Sequence, residues 1–141
     1  MNGKLIMEFL ITFEPGTISS LKSSNGSVVF IPFGGSVESE LFTGTIRPGA
    51  ADVQVCNPAG VRHMHARYMF EGVDSKGEKC HLFVDNNGWF ERDHMPAPFE
   101  ATPTFMTDSP TLAPYLHGAH FRAEGHGREG GITIKIFDID Q

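Results

Sequence analysis

Apolar and polar residues alternate along short runs of this chain and do not recur at helical spacing. The clearest run sets Ile132, Ile134 and Ile136 against Thr133, Lys135 and Phe137. Runs of this kind predict strands near 4–14, 27–33, 36–47, 51–57, 61–73, 78–87, 101–107, 119–126 and 131–139. Only Ser109 to Leu116 invites a helix, and Pro110 and Pro114 hold it to about a single turn. About nine antiparallel strands without crossover helices predict an all-β fold. Closure removes exposed edges, so the expectation is a single closed antiparallel β-barrel of about nine to ten strands, lipocalin-like in its up-and-down order. A barrel of that size has room for one small ligand.

Two turns then fix which side chains face inward. In Asn57-Pro58-Ala59-Gly60, Pro58 has φ locked near −65°, which excludes a primed two-residue hairpin. The alternative is a type I turn closed by Gly60 in the left-handed region, a three-residue loop with a glycine bulge. Asn57 then opposes Val61, Gln54 opposes Met64, and Asp52 opposes Ala66. Asp74-Ser75-Lys76-Gly77 repeats the geometry and sets Tyr68 opposite Val84 and Ala66 opposite Asn86. By period-two alternation one face gathers Asp52, Gln54, Met64, Ala66, Tyr68, Phe70, Leu82, Val84 and Asn86. The opposite face gathers His63, His65, Arg67, Met69, His81, Phe83 and Asp85, with Val53 and Val55.

Composition narrows the class. A chain of 141 residues with 40% hydrophobic and 20% charged content fits a single domain spanning residues 1–141 with a sizeable core. A net charge of −6 argues against nucleic acid or an anionic membrane as partner, because both favour a basic surface. The run from Leu5 to Phe13 is interrupted by Glu8 and Thr12, is too short to span a bilayer, and leads to no small-residue cleavage signal. A cytoplasmic location is the default. Cys56 and Cys80 lack zinc or CxxC spacing and read as reduced thiols. The stretch from Phe90 to Thr102, with Glu91, Arg92, Asp93, His94 and Met95-Pro96-Ala97-Pro98, does not alternate. It is either a proline-stiffened surface connection or a loop folded over a barrel mouth, with Phe99 or Trp89 covering a ligand.

Several segments in order resemble a known family: Ile31-Pro32-Phe33-Gly34-Gly35, Thr43-Gly44-Thr45-Ile46-Arg47-Pro48-Gly49-Ala50-Ala51-Asp52, Ala66-Arg67-Tyr68, Leu82-Phe83-Val84-Asp85-Asn86-Asn87-Gly88 and Thr102-Pro103-Thr104-Phe105. Together with the closing Ile-rich strand, these resemble the domain-of-unknown-function family DUF3237, also called uncharacterised protein family UPF0311. The resemblance implies a small antiparallel β-barrel and little about activity. Asp52, Arg67, Tyr68 and Asn86 match the family pattern. His65 stands where the family commonly carries an acidic residue.

The inward face offers the candidate chemistry. A carboxylate, a phenol and two amides among apolar side chains fit the usual make-up of a ligand pocket. A partly desolvated Asp52 exchanges protons nearer neutrality, with Tyr68 as partner acid or oxyanion donor. Gln54 and Asn86 would position the ligand, and Met64, Phe70 and Trp89 would line its site. Arg67, if a bulge swung it inward, would clamp an anion. The expectation is a cofactor-independent isomerase, lyase or cyclase acting on a carbonyl-containing or phenolic small molecule, with no metal and with homo-oligomerisation left open. Two rivals stand beside it: a ligand carrier with the same cavity, and a cupin-like metal enzyme using His63 and His65. Against the metal enzyme, Glu71 is displaced from cupin spacing, no PxG-x-x-H segment follows, and the register turns both histidines away from Asp52. A buried polar network that merely satisfies itself is the plainest alternative. His117, His120 and His126, with Arg122 and Arg128, match no nucleophile–base arrangement and read as surface or rim residues.

Overall fold

The computed structural model describes residues 3–91 and 94–141, so Arg92 and Asp93 of the loop singled out above lie outside the described residues. The turn at Asn57–Gly60 closes as its chemistry requires. The Gly60 amide donates to the Asn57 carbonyl at 2.9 Å, and the Val61 amide donates to Asn57 Oδ1 at 3.0 Å. Gly77 repeats the closure on Asp74, and both glycines hold positive φ, 85° and 78°, which a Cβ would oppose. These turns join β5 (Ala51–Cys56), β6 (Arg62–Asp74) and β7 (Lys79–Phe90). Pairing along them is unbroken, with Asp52 opposite Ala66, Gln54 opposite Met64, Ala66 opposite Asn86 and Tyr68 opposite Val84.

The other strands are β1 (Lys4–Phe13), β2 (Ser19–Ser23), β3 (Gly26–Glu38), β4 (Phe42–Ile46), β8 (Phe99–Thr107), β9 (Phe121–Arg128) and β10 (Gly131–Asp138). All pairings are antiparallel. They close an eight-stranded ring, β1-β10-β9-β8-β7-β6-β4-β3, sealed where β3 returns to β1. From β6 to β10 each strand pairs with its sequence neighbour. β5 occupies the position of β4 farther along the long strands β3 and β6, and β2 flanks β3. No helix among the described residues is long and apolar enough to cross a membrane. Cys56 and Cys80 are buried free thiols, not joined in a disulfide.

Two boundaries depart from the pattern reading. β3 runs straight through Gly34-Gly35, where a break was expected. A Cβ at Gly35 would stand 2.1 Å from the Leu10 carbonyl oxygen, so the small residue admits the neighbouring backbone without ending the strand. The chain turns later, at Ser39, whose hydroxyl donates to the Phe42 carbonyl at 2.8 Å. β2 was not anticipated. All five of its residues are exposed, so it has no buried face and no alternation to read.

The ring is filled unevenly. Phe9, Phe42, Phe70, Leu82 and Ile136 are almost wholly buried and pack the half nearer the β6–β7 turn. Phe70 lies 4.9 Å from Phe9 and 6.0 Å from Phe42 between ring centres. The single-turn helix α1 (Ala113–Leu116) closes this end, with Leu112 and Leu116 in the core. It is anchored by Asp74, which accepts from Ser109 Oγ at 2.7 Å and from the Lys76 and Glu78 amides at 2.9 and 3.1 Å. His117, expected at the rim, accepts the Thr107 amide through Nε2 and so ties α1 to β8.

The Ser109 hydroxyl, with the two turn amides, holds the Asp74 carboxyl below its ordinary value of 3.8. A lowered native pKa stabilises the fold above pH 3.8, and that stability is lost as pH falls through the native value. Asp74→Asn is therefore expected to lower Tm at pH 7, with the deficit shrinking as the wild-type carboxyl protonates in acid. Thermal melts by circular dichroism across pH check this; a deficit that grows in acid would refute it.

Candidate functional site

The opposite half of the barrel is hollow, with a cavity of about 120 Å³. One wall comes from β5, β6 and β7: Asp52, Gln54, Met64, Ala66, Tyr68 and Asn86. The facing wall comes from β1, β3 and β10, through Ile11, Phe33, Ile132 and Ile134, and Met95 and Phe99 cover the end beyond β7. Tyr68 is the floor. Its ring meets Phe33 and Phe9 edge-on, at 5.1 and 6.0 Å between centres, and Phe70 packs beneath it at 5.7 Å.

The polar groups here are sparsely paired. Gln54 Nε2 donates to Asp52 Oδ2 at 2.8 Å, and Arg62 Nη1 donates to Gln54 Oε1 at 3.3 Å. Asp52 Oδ1 is sealed from solvent with no partner, and so is Asn86 Oδ1. Asn86 as a whole is 2% exposed. Buried acceptors without donors are rare, because each carries a desolvation cost of about 1–3 kcal/mol. Burial raises the Asp52 pKa from 3.8, against the opposing pull of the Gln54 hydrogen bond and the charges of His65 and Arg62. Burial, reinforced by the Asp52 charge, raises the Tyr68 phenol well above its usual range, so Tyr68 stays a neutral donor. The cavity thus pairs a carboxyl whose pKa is raised by burial with a phenol that stays protonated.

The structure places Asp52, Gln54, Met64, Tyr68 and Asn86 on the cavity wall and moves three expected residues off it. Arg67 is exposed on the outer face, because β6 keeps continuous register from Arg62 to Val73 and has no bulge to swing it inward. Trp89 is 62% exposed and lies flat on His63 outside the barrel, ring centres 4.5 Å apart. Phe70 points inward but sits below Tyr68, in the packed half. His63 and His65 are stacked on that outer face, and their Nε2 atoms bond Asn87 Oδ1 and Asp85 Oδ1, each at 2.8 Å. Of the two covering residues considered, Phe99 reaches the cavity and Trp89 does not. The facing wall was missed, although the alternation of Phe9, Ile11 and Phe13 with Leu10 and Thr12 carries its signal; only ring closure shows which cavity those residues meet.

A larger hollow of about 810 Å³ opens outside, where β8 pairs with β9 only through Phe99, Glu100 and Ala101. Its cation Arg122 is already bridged to Glu100 and Glu124, at 3.3 and 3.0 Å. The enclosed cavity, with its unpaired acceptors, is the better site.

The sequence matches the family model described as protein of unknown function (DUF3237) over residues 2–139. The chain belongs to the DUF3237 family. Solved structures similar to this DUF3237 chain share its fold. One is a protein of unknown function from Clostridium acetobutylicum ATCC 824, 23% identical with a TM-score of 0.77, the match covering 99% of this chain and 97% of that one. A second is a conserved protein of unknown function from Rhodopseudomonas palustris, 22% identical with a TM-score of 0.75 and coverage of 96% and 95%. A third is described as a β-barrel-like protein from Acinetobacter baumannii AYE, 18% identical with a TM-score of 0.73 and coverage of 96% and 94%. No curated protein matches the sequence.

A raised native pKa reverses the sign found for Asp74. Between 3.8 and the native value the folded protein binds the Asp52 proton more tightly than the unfolded chain, so stability falls as pH rises through that window. Asp52→Asn is expected to raise Tm at pH 7, by roughly 3–5 °C for each kcal/mol relieved in a domain of this size. The gain should vanish below pH about 4, where the unfolded carboxyl is itself protonated. Paired melts of wild type and variant from pH 3 to 8 measure it; a lower Tm for the variant at neutrality would show that the carboxylate stabilises the fold.

Proposed function

We propose that this barrel is a cofactor-independent acid/base enzyme of the isomerase, lyase or cyclase type, acting on a carbonyl-containing or phenolic small molecule in its cavity. The observation that carries the reading is the pair of buried, unpartnered acceptors, Asp52 Oδ1 and Asn86 Oδ1, on two residues that line one apolar hollow beside a neutral phenol. Asp52 Oδ1 takes a proton from the ligand. Gln54 holds Oδ2 and leaves Oδ1 without a protein partner. Negative charge developing on the ligand oxygen is met by the Tyr68 hydroxyl, which donates a hydrogen bond without losing its proton. Asn86 orients the ligand, and Asp52 returns the proton at the same or another atom. General acid–base transfer of this kind is worth about 10²–10⁴ in rate, and an oxyanion donor about 10²–10³.

The test needs no knowledge of the product. Small ketones and phenols are incubated with the protein in D₂O, and loss of C–H signals is followed by proton NMR. Wild type is expected to catalyse exchange. Asp52→Asn and Tyr68→Phe should each slow it by about 100-fold or more while keeping the wild-type far-UV circular dichroism and a cooperative thermal melt. Ligands that bind and come back unexchanged would make the barrel a carrier.

A further inference from the structure

The volume, charge and hydrogen-bonding of the cavity together define a narrow ligand class. Size comes first. An apolar protein cavity of about 150 Å³ takes a benzene ring, so 120 Å³ holds one six-membered ring and not two. The limit is set by Phe99. Its ring lies over Gly125, its register partner, where a Cβ would stand 2.0 Å from a ring carbon. Charge comes second. Among the described residues the wall includes the Asp52 carboxyl and no cationic side chain: Arg67 is outside, and Arg62 stands behind Gln54, to whose Oε1 it donates. A ligand carboxylate or phosphate would face Asp52 with no cation on that wall, which favours a neutral ligand.

Hydrogen bonding comes third. Asp52, Ala66 and Asn86 form one register row across β5, β6 and β7. Their outer Cα atoms are two strand spacings apart, about 10 Å, with only the Ala66 methyl between them. Asp52 and Asn86 therefore flank a gap about the width of a ring. Tyr68, two residues along β6 from Ala66, adds its hydroxyl from the floor.

We propose that the ligand is a neutral six-membered cyclic enone, held with its carbonyl oxygen accepting from the Tyr68 hydroxyl and with its γ-carbon, across the ring, facing the Asp52 carboxylate. This deepens the acid/base reading and rests on it. Asp52 takes a proton from the γ-carbon. The C–H pair becomes a ring double bond, and the conjugated electrons move onto the carbonyl oxygen. The resulting dienolate is held by the Tyr68 hydroxyl. The proton returns from Asp52 to the α- or γ-carbon, so no oxidant or co-reactant is consumed. A ligand hydroxyl, as in a phenol, would supply the donor that Asn86 Oδ1 lacks.

Phenol is the planar mimic of that dienol. Titrations followed by NMR should show phenol binding about tenfold or more tighter than benzene, with naphthol and hydroxybenzoate excluded. Asn86→Leu should remove the preference for phenol over benzene, and Phe99→Ala should admit naphthol. Cyclohexenone in D₂O should acquire deuterium at the γ-carbon with wild type and not with Asp52→Asn, which should still bind phenol. Equal binding of hydroxybenzoate, or an unchanged phenol preference in Asn86→Leu, overturns the ligand class. Exchange of other ketones with cyclohexenone ignored also overturns the class and leaves the acid/base reading standing. Phenol binding with no exchange of cyclohexenone or any other ketone overturns both the proposed reaction and that reading.

Discussion

The unbroken pairing of β6 with β5 on one side and β7 on the other governs everything else in this molecule. A strand's side chains alternate between faces, so a slip of one residue would carry the whole inward set outside. Here it would turn Asp52, Tyr68 and Asn86 to the surface and bring His63, His65 and Arg67 into the barrel. That choice is made at the turns. Gly60 and Gly77, both at positive φ, close three-residue loops, and the Asn57 side chain adds its own bond to the Val61 amide. Because β6 spans both ends of the barrel, pairing β5 near its start and β4 near its end, the register set at Gly60 reaches the full height of the wall.

That wall is then used in two ways. Below Tyr68 the interior is filled by rings, with Phe9, Phe42 and Phe70 in edge and tilted contact; above it the facing walls do not meet. The boundary follows from side-chain volume. Along the inward face of β6, Phe70 and Tyr68 give way to Ala66, and the neighbouring β7 row passes from Asn86 to Gly88, opposite Met64, before Phe90 closes it. Small residues at mid-height of a barrel leave a hollow that the surrounding strands cannot collapse, since the closed hydrogen-bonded ring fixes their spacing. Tyr68 therefore packs like a core aromatic while its hydroxyl faces the space left by Ala66.

Much of this was legible in the residues, and the reasons differ element by element. The facing of β5, β6 and β7 followed from turn chemistry, because Pro58 and the two glycines leave few ways to turn the chain. The Ile-rich last strand was read from strict alternation. β2 was invisible, because a strand laid on the outside of a ring buries nothing. Trp89 was misplaced because a large aromatic suggests burial, whereas alternation along β7 turns it out with Asn87 and Asp85, where His63 gives it a stacking surface. The far wall of Ile11, Phe33, Ile132 and Ile134 needed ring closure, and closure depends on the long-range β1–β3 pairing that no local pattern encodes.

Asp74 and Asp52 show why one acid is fully partnered and the other is not. Asp74 lies at a turn, where the Lys76 and Glu78 amides are not used in strand pairing and are free to donate to its carboxylate, and Ser109 adds a third donor. Asp52 lies mid-strand, where ladder bonds already consume the backbone donors on both sides. Only side chains on the same face can serve it, and alternation makes Gln54, two residues on, its nearest candidate. Gln54 has one amide nitrogen to offer, which reaches Oδ2, while its oxygen is taken by Arg62. An inward-facing carboxyl in the middle of a fully paired strand is therefore under-supplied with donors by construction. The sheet that positions Asp52 so firmly is the same structure that withholds a partner from Oδ1, which stays a buried acceptor that the protein itself does not satisfy.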